Sequence, residues 1–301
     1  FLSKAAQAEF RFVQAHDLND WMLSCTAQED KIESPTNSAG EWNFVIGRDS
    51  SLFLRLSEAR SRLGEVASIF VGLQTSADKL YVLEEISNES DTLRVLDSSG
   101  KEWLMESAVL KPFLYHHTVT TFKQPKAGHR LIFPYRIREG SVELIPEVEM
   151  KRSFPLVWEY LCENSKLLRG RESGKADNHQ WYGYIYRKNL TLFEDPKLIV
   201  QVISEFGRYA LDTAGIYFTG GGNGPYYGVR WRQECALHSL LYLQAILSSK
   251  LLDYYLYRIS SPFRGGYWSY GKRFIEQLPI RTIDFADPAD VARHDQMVAL
   301  V

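Results

Sequence analysis

The sequence of 301 residues has few cysteines and no long apolar run. Cys25, Cys162 and Cys235 are far apart and form no CxxC pair, which excludes a disulfide framework and a cysteine-rich zinc site. No apolar run approaches the roughly 20 residues that cross a bilayer, and the first residues, FLSKAAQAEF, do not have the pattern of a signal peptide. We therefore expect a cytoplasmic protein without a membrane partner.

The sequence also lacks the motifs of a catalytic, nucleotide or metal site. The glycine tract 220–224 is followed by Pro225 and a strand-like run, so it fits neither a P-loop nor a dinucleotide loop, and we expect a tight turn. The adjacent His116 and His117 would point apart in an extended chain, and we expect surface loop there. We predict no catalytic residue and no metal site, and we expect a fragment of a longer chain, because the first residue is not Met.

What the chain does have is an ordinary globular composition, 45% hydrophobic and 24% charged, which suffices for one large domain or two smaller ones. Its charge is distributed unevenly. Residues 1–110 carry 10 Lys and Arg against 18 Asp and Glu (net −8), residues 111–188 carry 14 against 8 (net +6), and residues 254–281 carry 5 against 1 (net +4). A charge run is often only a solvated face, but two basic blocks in an acidic chain favour an anionic partner.

Apolar periodicity predicts an irregular mixture of strands and helices. Strands are predicted at VASIFV, LYVL, LIFPYRI, KLIVQVIS, ALDTAGIYFT and YYGVRW. Pro134 inside LIFPYRI indicates an edge strand, and residues 169–189 are typical of a long loop that enters a strand. The fold class is therefore α+β, with a mixed, mainly antiparallel sheet and packed helices.

Helices are predicted where apolar residues recur at helical spacing. They begin at Ser50, with an apolar face that extends to Leu63, at Pro155, at Cys235, as one long buried helix to about Tyr257, and at Pro288. Cys162 and Cys235 fall on two of these helices, where we expect buried packing rather than reactivity.

Three segments interleave basic and aromatic residues, at 129–138, 169–188 and 258–273. Lys and Arg near phosphates supply affinity for DNA, whereas side chains with paired donors and acceptors read base edges. The loop 169–181 contains both kinds of side chain. The alternative is a solvated loop followed by aromatic residues, such as Trp181 and Tyr182, that pack in the core.

The segment SPFRGGYWSYGKR, residues 261–273, is the most concentrated of these. We predict that Gly265 and Gly266 form a turn and that some of its four aromatic rings pack beneath that turn. Its basic side chains then stay free to meet phosphate.

Several segments follow one another in a characteristic order: GLQTSADKLYVL, LKPFLYHH, RLIFPY, QWYGYIYRKN, PKLIVQVIS, IYFTGGGNGPYYGV, LQAILSSKLLDYYLY and GYWSYGKRFIEQLPI. This order resembles the TaqI-like C-terminal specificity domain, the target-recognition part of adenine-specific DNA methyltransferases and of fused restriction-modification enzymes. The resemblance covers about residues 42–281. It implies a connector from a catalytic core at residues 1–41, the recognition domain at 42–281, and the start of a spacer helix at 282–301.

The resemblance implies double-stranded DNA and a methyltransferase core of the same parent chain as partners. The family's Asn-Pro-Pro-Tyr motif and its cofactor glycine loop are absent, and the nearest segment, Ser261-Pro262-Phe263-Arg264, lacks the second proline. Catalysis and S-adenosylmethionine are therefore expected in the parent enzyme and not in this chain. Phosphate contacts are predicted for Lys123, Lys126, Arg264, Lys272 and Arg273, and base reading for Arg169, Arg171, Asn178 and Gln180.

Two other functional classes remain open from the sequence. The chain could be a type I-like specificity subunit or a protein-interaction module that docks a methyltransferase or endonuclease. A type I subunit would contain a second recognition domain and two long spacer helices, which are not visible here. A free-standing enzyme ranks last for want of catalytic residues.

Overall fold

A computed structural model describes residues 9–15, 17–25, 27–33, 50–115, 118–220 and 224–301. Within these residues the fold is α+β, as predicted. The strands are β1 (Glu9–Gln14), β2 (Gln28–Glu33), β3 (Ser61–Arg62), β4 (Ala67–Val71), β5 (Val82–Glu89), β6 (Thr92–Leu96), β7 (Glu102–Glu106), β8 (Leu110–Leu114), β9 (His129–Ile132), β10 (Tyr135–Arg138), β11 (Ser141–Leu144), β12 (Lys197–Gln201), β13 (Ile203–Ser204), β14 (Tyr209–Asp212), β15 (Tyr217–Phe218), β16 (Tyr226–Trp231), β17 (Trp268–Ser269) and β18 (Pro279–Ile280). The helices are α1 (Leu18–Ser24), α2 (Ser50–Ser57), α3 (Leu63–Val66), α4 (Asp78–Tyr81), α5 (Glu147–Ser153), α6 (Pro155–Glu163), α7 (Ser165–Arg169), α8 (Arg171–Gly174), α9 (Leu240–Leu247), α10 (Lys250–Ile259), α11 (Lys272–Ile275) and α12 (Pro288–Ala299).

Two larger sheets organise the described residues. One has four strands in the order β14-β12-β16-β4, all antiparallel, and the other has six in the order β15-β8-β9-β5-β6-β7. In the six-stranded sheet β15 pairs with β8 in parallel, and the remaining pairs are antiparallel. Smaller pairs are β1–β2, β10–β11, β13–β17 and β3–β18. The predicted predominance of antiparallel pairing is confirmed.

The four-stranded sheet lies between two hydrophobic cores. Because successive side chains of a strand point to opposite faces, Ile199 of β12 enters one core while Leu198 and Val200 enter the other. The first core joins this sheet to the six-stranded sheet, to α6 and to the aromatic segment 181–184. The second core packs the other face of the sheet against α9, α10 and α11. Residues 198–200 of β12 form an uninterrupted apolar run because both faces of the strand are buried there.

Two glycines allow the edges of the two larger sheets to meet. Just beyond β4, Leu73 donates its N–H to the Phe218 carbonyl at 3.0 Å, and Gly220 donates to the Leu73 carbonyl at 2.9 Å. A Cβ atom at Gly72 would lie 2.3 Å from the carbonyl carbon of Thr219, and one at Gly220 would lie 2.3 Å from the Gly72 nitrogen. Only glycine permits two backbones to approach so closely. We call this crossing the glycine seam.

Pro134 divides a run that the sequence predicts as one edge strand. LIFPYRI forms β9 and β10, which belong to different sheets, and β9 lies inside the six-stranded sheet between β8 and β5. The edge-strand prediction is wrong because Pro134 stands between two ladders, where its missing N–H interrupts neither. Its carbonyl accepts a hydrogen bond from Ile145 N at 2.9 Å.

The predicted long helix over residues 235–257 is two helices, α9 and α10. Ser249 is extended (φ −79°, ψ 145°), and its side chain accepts a hydrogen bond from Leu252 N at 3.3 Å. This serine caps α10, and the continuous apolar pattern hides the break. The helix predicted from Ser50 is confirmed, but it ends at Ser57 and does not reach Leu63.

The predicted long loop over residues 169–189 contains the short helix α8, and its aromatic residues Trp181, Tyr182 and Tyr184 pack in the first core. Within residues 181–188 the only ladder contact is an isolated bridge between Tyr186 and Gln74.

The expectation that Cys162 and Cys235 are buried is wrong. Cys162 is exposed and Cys235 is half-buried. Cys162 lies on the solvent side of α6, whose opposite side buries Val157 and Leu161.

The terminal segments add a hairpin and a helix. Strands β1 and β2 pair, with α1 between them in sequence. Helix α12 begins at Pro288, as predicted, and packs on α9, where Ser239 N donates to His294 Nε2 at 3.2 Å. The domain boundaries and the identification of α12 as the start of a spacer helix stay predictions.

Candidate nucleic-acid interface

Strand register gathers several loops at one end of the four-stranded sheet. Val71, the last residue of β4, pairs with Tyr227, and Gln201, the last residue of β12, pairs with Tyr226. Tyr209, the first residue of β14, pairs with Val200. The loop after β4, the loop 202–208 and the residues before β16 therefore emerge together. We call this edge the loop end of the sheet.

Residues 262–268 form a hairpin that is attached to the loop end. Phe263 N donates to the Tyr267 carbonyl at 2.8 Å, and Pro262 bridges to Trp268. Gly265 and Gly266 make the turn with φ of 79° and 81°, a left-handed conformation that favours glycine, so the predicted turn is confirmed. Strand β17 pairs with β13, and this pairing holds the hairpin beside the loop 202–208.

Helix α10 fixes the loop 202–208 and the hairpin from beneath. Asp253 Oδ1 accepts hydrogen bonds from Gly207 N and from Tyr270 Oη, each at 2.8 Å. Burial raises the pKa of Asp253. The Tyr257 ring stacks on Trp268 with centroids 4.8 Å apart, and its hydroxyl donates to the Glu205 carbonyl at 2.7 Å. These contacts give the two segments one rigid support.

The loop 118–128 runs along the edge strand β14. Val119 N donates to Gln201 Oε1 at 3.3 Å, and Thr121 Oγ1 donates to the Gly207 carbonyl at 3.4 Å. Further along, Gln124 Nε2 donates to Asp212 Oδ1 at 3.1 Å. Lys123 and Lys126 of this loop are exposed and line a cavity of about 540 Å³.

Contacts in the structure link the segments that carry the two groups of predicted phosphate-binding residues. The loop 202–208 contacts both the loop 118–128 and the 262–268 hairpin. The five side chains are exposed, and within the described residues none of them makes an ion pair with a carboxylate. They are Lys123, Lys126, Arg264, Lys272 and Arg273. Cationic side chains that are not paired with carboxylates can attract the phosphate backbone of DNA.

Arg171, predicted to read bases, is a buried brace. It is 6% exposed, and its guanidinium donates to the carbonyls of Leu168 (2.7 Å), Thr75 (3.0 Å), Trp181 (2.5 Å) and Gly183 (2.9 Å). A base edge could reach it only if these bonds broke. The contact with Thr75 ties the loop 169–181 to the loop after β4, and hence to the loop end.

The other three predicted base-reading residues lie on the surface. Arg169 pairs with Asp177 at 2.9 Å and stands 4.9 Å from the Trp181 ring centroid. Asn178 and Gln180 are exposed, and Asn178 Oδ1 accepts from Gln180 N at 2.7 Å. Gln180 Oε1 accepts from Arg187 Nη2 at 2.5 Å. These contacts organise the loop and leave amide N–H groups at its surface.

Sequence reasoning missed the contribution of the loop 202–208. Ile203 and Phe206 are each 45% exposed, and the Arg208 guanidinium lies 4.6 Å from the Phe206 ring centroid. The sequence sign of this loop is Phe206, an apolar residue in EFGR, which is a turn between two predicted strands. The role of the loop 202–208 depends on which other loops it contacts, and a single sequence does not show those contacts.

The residues that the structure describes contain neither a metal-binding cluster nor a membrane-spanning helix. No group of three or more His, Cys, Asp or Glu side chains there is placed to hold a metal ion. No helix there is long and apolar enough to span a bilayer. His116, His117 and glycine-tract residues 221–223, which carry two of the sequence predictions, lie outside the described residues.

Comparison with known proteins gives the chain a context. No family model matches it. It is 27% identical over 316 residues to the type II restriction enzyme and methyltransferase RM.Eco57I of Escherichia coli, an alignment that covers 98% of this chain and 31% of that protein. It is 18% identical over 269 residues to the type II methyltransferase M.BstVI of Geobacillus stearothermophilus, covering 87% of this chain and 43% of that protein. It is 24% identical over 255 residues to the type II methyltransferase M.PaeR7I of Pseudomonas aeruginosa, covering 84% of this chain and 39% of that protein.

The chain therefore spans less than half the length of each of these relatives. The narrower resemblance to the TaqI-like specificity domain is not tested by these alignments and stays a prediction. What the comparisons establish is a likeness, over nearly the whole chain, to part of type II restriction-modification methyltransferases.

Proposed function

We propose that this chain binds and reads double-stranded DNA as the target-recognition part of a type II restriction-modification methyltransferase. One observation carries the proposal: five exposed cations of two separate basic blocks make no ion pair within the described residues, and the segments that carry them are linked through the loop 202–208. The likeness to type II methyltransferases supports DNA as the polyanion. Because these relatives are type II enzymes, a type I-like subunit or a separate interaction module is not favoured.

The proposed division of labour follows from charge and exposure. Lys123 and Lys126 on one loop, with Arg264, Lys272 and Arg273 on the other side, hold phosphates and fix the register on the duplex. Asn178 and Gln180 contact base edges, since a carboxamide can form two hydrogen bonds with adenine. Arg169 would form two hydrogen bonds with guanine. Arg171 serves as the brace that positions this loop.

The methyl transfer itself is proposed to occur in the methyltransferase core, outside this chain. Beside Gly220, the described start of the glycine tract, backbone atoms of Gly72 leave no room even for a Cβ atom. We therefore derive no catalytic step for these residues. Register on the DNA would determine which adenine reaches the core, where it is flipped out of the duplex and methylated. A cytoplasmic location accords with a DNA substrate.

The test is the salt dependence of duplex binding by fluorescence anisotropy. Each phosphate contact contributes about 0.9 to the slope of log K against log salt concentration, so Arg264→Ala/Lys272→Ala/Arg273→Ala should reduce that slope by up to about 3. A matched control, Arg94→Ala/Lys101→Ala/Lys151→Ala, removes three cations that pair with glutamates away from the loop end and should leave the slope unchanged. Absence of binding to every duplex at low salt, even with the core supplied, would refute the proposal.

A further inference from the structure

The 262–268 hairpin has one packed face and one bare face. Phe263 and Tyr267 are opposite each other in the hairpin, so their side chains project from the same face, and they are 48% and 39% exposed. The next pair, Pro262 and Trp268, projects from the other face, where Trp268 stacks on Tyr257. The hairpin therefore presents two aromatic side chains that its own fold does not use.

These two rings are presented by a rigid support. Ser260 Oγ donates to the Ser269 carbonyl at 2.5 Å, and Ser269 N donates to the Ser261 carbonyl at 3.1 Å. Tyr270, 1% exposed, anchors the end of the segment through its hydrogen bond to Asp253. Because the backbone beneath the rings is already ordered, little conformational entropy remains to be lost when they bind a partner.

The surroundings of the rings are cationic. Arg264 stands at the tip of the hairpin between them in sequence, and Lys272 and Arg273 follow in α11. The carboxylate of the adjoining loop, that of Glu205, lies 3.9 Å from the Arg208 guanidinium. Exposed aromatic faces beside uncompensated cations suit a ligand that is both flat and anionic, such as a nucleotide within a strand of DNA.

We propose that Phe263 and Tyr267 form a stacking wedge that takes an unpaired nucleobase of DNA. This inference rests on the proposed function and specifies the state of DNA that the hairpin contacts. In an intact duplex both faces of a base are covered by neighbours, so aromatic side chains gain a contact only where a base pair opens or a step is unstacked. Every base has a π-face, so the wedge is independent of sequence and separate from base-edge reading by the loop 169–181.

The wedge is tested by comparing duplexes of one sequence that are fully paired or carry a single bulged 2-aminopurine. The full chain should bind the bulged duplex about 10-fold more tightly, since stacking on one base contributes about 1–3 kcal/mol and 1.4 kcal/mol is tenfold in affinity. Its binding should also quench the 2-aminopurine fluorescence. Phe263→Ala/Tyr267→Ala should abolish both the preference and the quenching while leaving the salt slope unchanged.

Three further variants separate stacking from charge and from folding. Arg264→Ala should reduce the salt slope by about 1 and keep the preference for the bulged duplex. Phe263→Leu/Tyr267→Leu keeps apolar volume without a π-face and should lose the preference, whereas Tyr267→Phe should keep it. Trp21→Ala, at an exposed aromatic residue of α1, is the matched control and should change nothing.

Two outcomes would overturn the wedge. Equal affinity of the wild-type chain for both duplexes, or a preference and quenching that survive in Phe263→Ala/Tyr267→Ala, would exclude it while duplex binding and the proposed function stood. Failure of the wild-type chain to bind these and all other duplexes at low salt, even with the core supplied, would instead overturn the proposed function, and the wedge with it.

Discussion

Lys197 and Asp212 form an ion pair whose side chains are both 0% exposed. Lys197 Nζ lies 2.5 Å from Asp212 Oδ2 and also donates to the Phe193 carbonyl. Burial lowers the pKa of Lys197. Asp212 in turn accepts hydrogen bonds from Ala214 N, Ile216 N and Gln124 Nε2. Since neither charge reaches water, each depends on the other for compensation.

Asp212→Asn should therefore lower the free energy of unfolding by about 3–5 kcal/mol, because it leaves a buried, unpaired ammonium group. Urea denaturation measures this loss. The double variant Lys197→Met/Asp212→Asn should recover most of it, since no charge is then left alone. Asp195→Asn is the control: Asp195 is 65% exposed and pairs with Arg230, so the loss should be at most about 1 kcal/mol. Equal losses for Asp212→Asn and Asp195→Asn would contradict the argument.

Individual residues show where sequence reasoning stops. Arg169 and Arg171 are indistinguishable in RGRES, yet one lies at the surface and the other is braced by four carbonyls. The exposure of Lys272 and Arg273 was predictable, because they stand outside the apolar pattern of their segment. Burial of Arg171 depends on Thr75, which is 96 residues away, and no local pattern contains that contact.

At the scale of elements, α12 is docked through one carboxylate. Asp290 Oδ2 accepts from Asp284 N at 3.0 Å, and Oδ1 accepts from Arg293 Nη2 at 2.9 Å and Arg281 Nη2 at 2.5 Å. These hydrogen bonds, that of Asp284 N first, lower the pKa of Asp290 to about 2 from its usual 3.8. The folded chain thus binds this proton less tightly than the unfolded chain does.

The stability that Asp290 contributes should be complete above about pH 4 and should disappear as the pH falls toward 2. Thermal unfolding of the wild type and of Asp290→Asn between pH 6 and pH 2 measures it. Other carboxylates titrate in both proteins, so the difference between the two melting temperatures isolates this one. We expect that difference to shrink as the pH falls, and a constant difference would show that Asp290 is not involved.

Elements were predictable where a local pattern decided them. Strands β4, β12 and β16 coincide with short apolar runs, and α6 and α12 begin at the prolines that predicted them. Errors arose where a tertiary contact or a cap competed with the pattern. Ser249 interrupts an apolar run that otherwise fits one helix, and Pro134 separates two strands that belong to different sheets.

At the scale of the whole molecule, the glycine seam joins the four-stranded sheet to the six-stranded sheet. Gly72→Ala places a Cβ 2.3 Å from the backbone of Thr219, and neither backbone can move without disturbing its own sheet. We expect a loss of about 3 kcal/mol in the free energy of unfolding, measured by urea denaturation. At Gly100, where φ is +84° and an added Cβ meets nothing within 4 Å, alanine should cost only about 1 kcal/mol. If Gly72→Ala lowered the free energy of unfolding no more than Gly100→Ala does, the two backbones of the glycine seam would be able to move apart without much cost.

The candidate interface was predictable in part. The cations that the sequence predicted for phosphate binding are exposed. The contacts between their segments and the loop 202–208 depend on strand register across the four-stranded sheet. Register between strands distant in sequence leaves no local signature. The order of family segments predicted the likeness to restriction-modification methyltransferases, whereas the arrangement of the loops could be described only from the fold.

The loop end of the sheet also has an evolutionary consequence. The loop tips there, among them Phe206 and Arg264, are exposed and belong to neither core. Insertions, deletions and substitutions at those tips leave the packed interior intact. Under the proposed function, a lineage could acquire a new recognition sequence by exchanging one loop at a time. Restriction-modification systems of different specificity could then share one inherited scaffold while differing almost entirely at this edge.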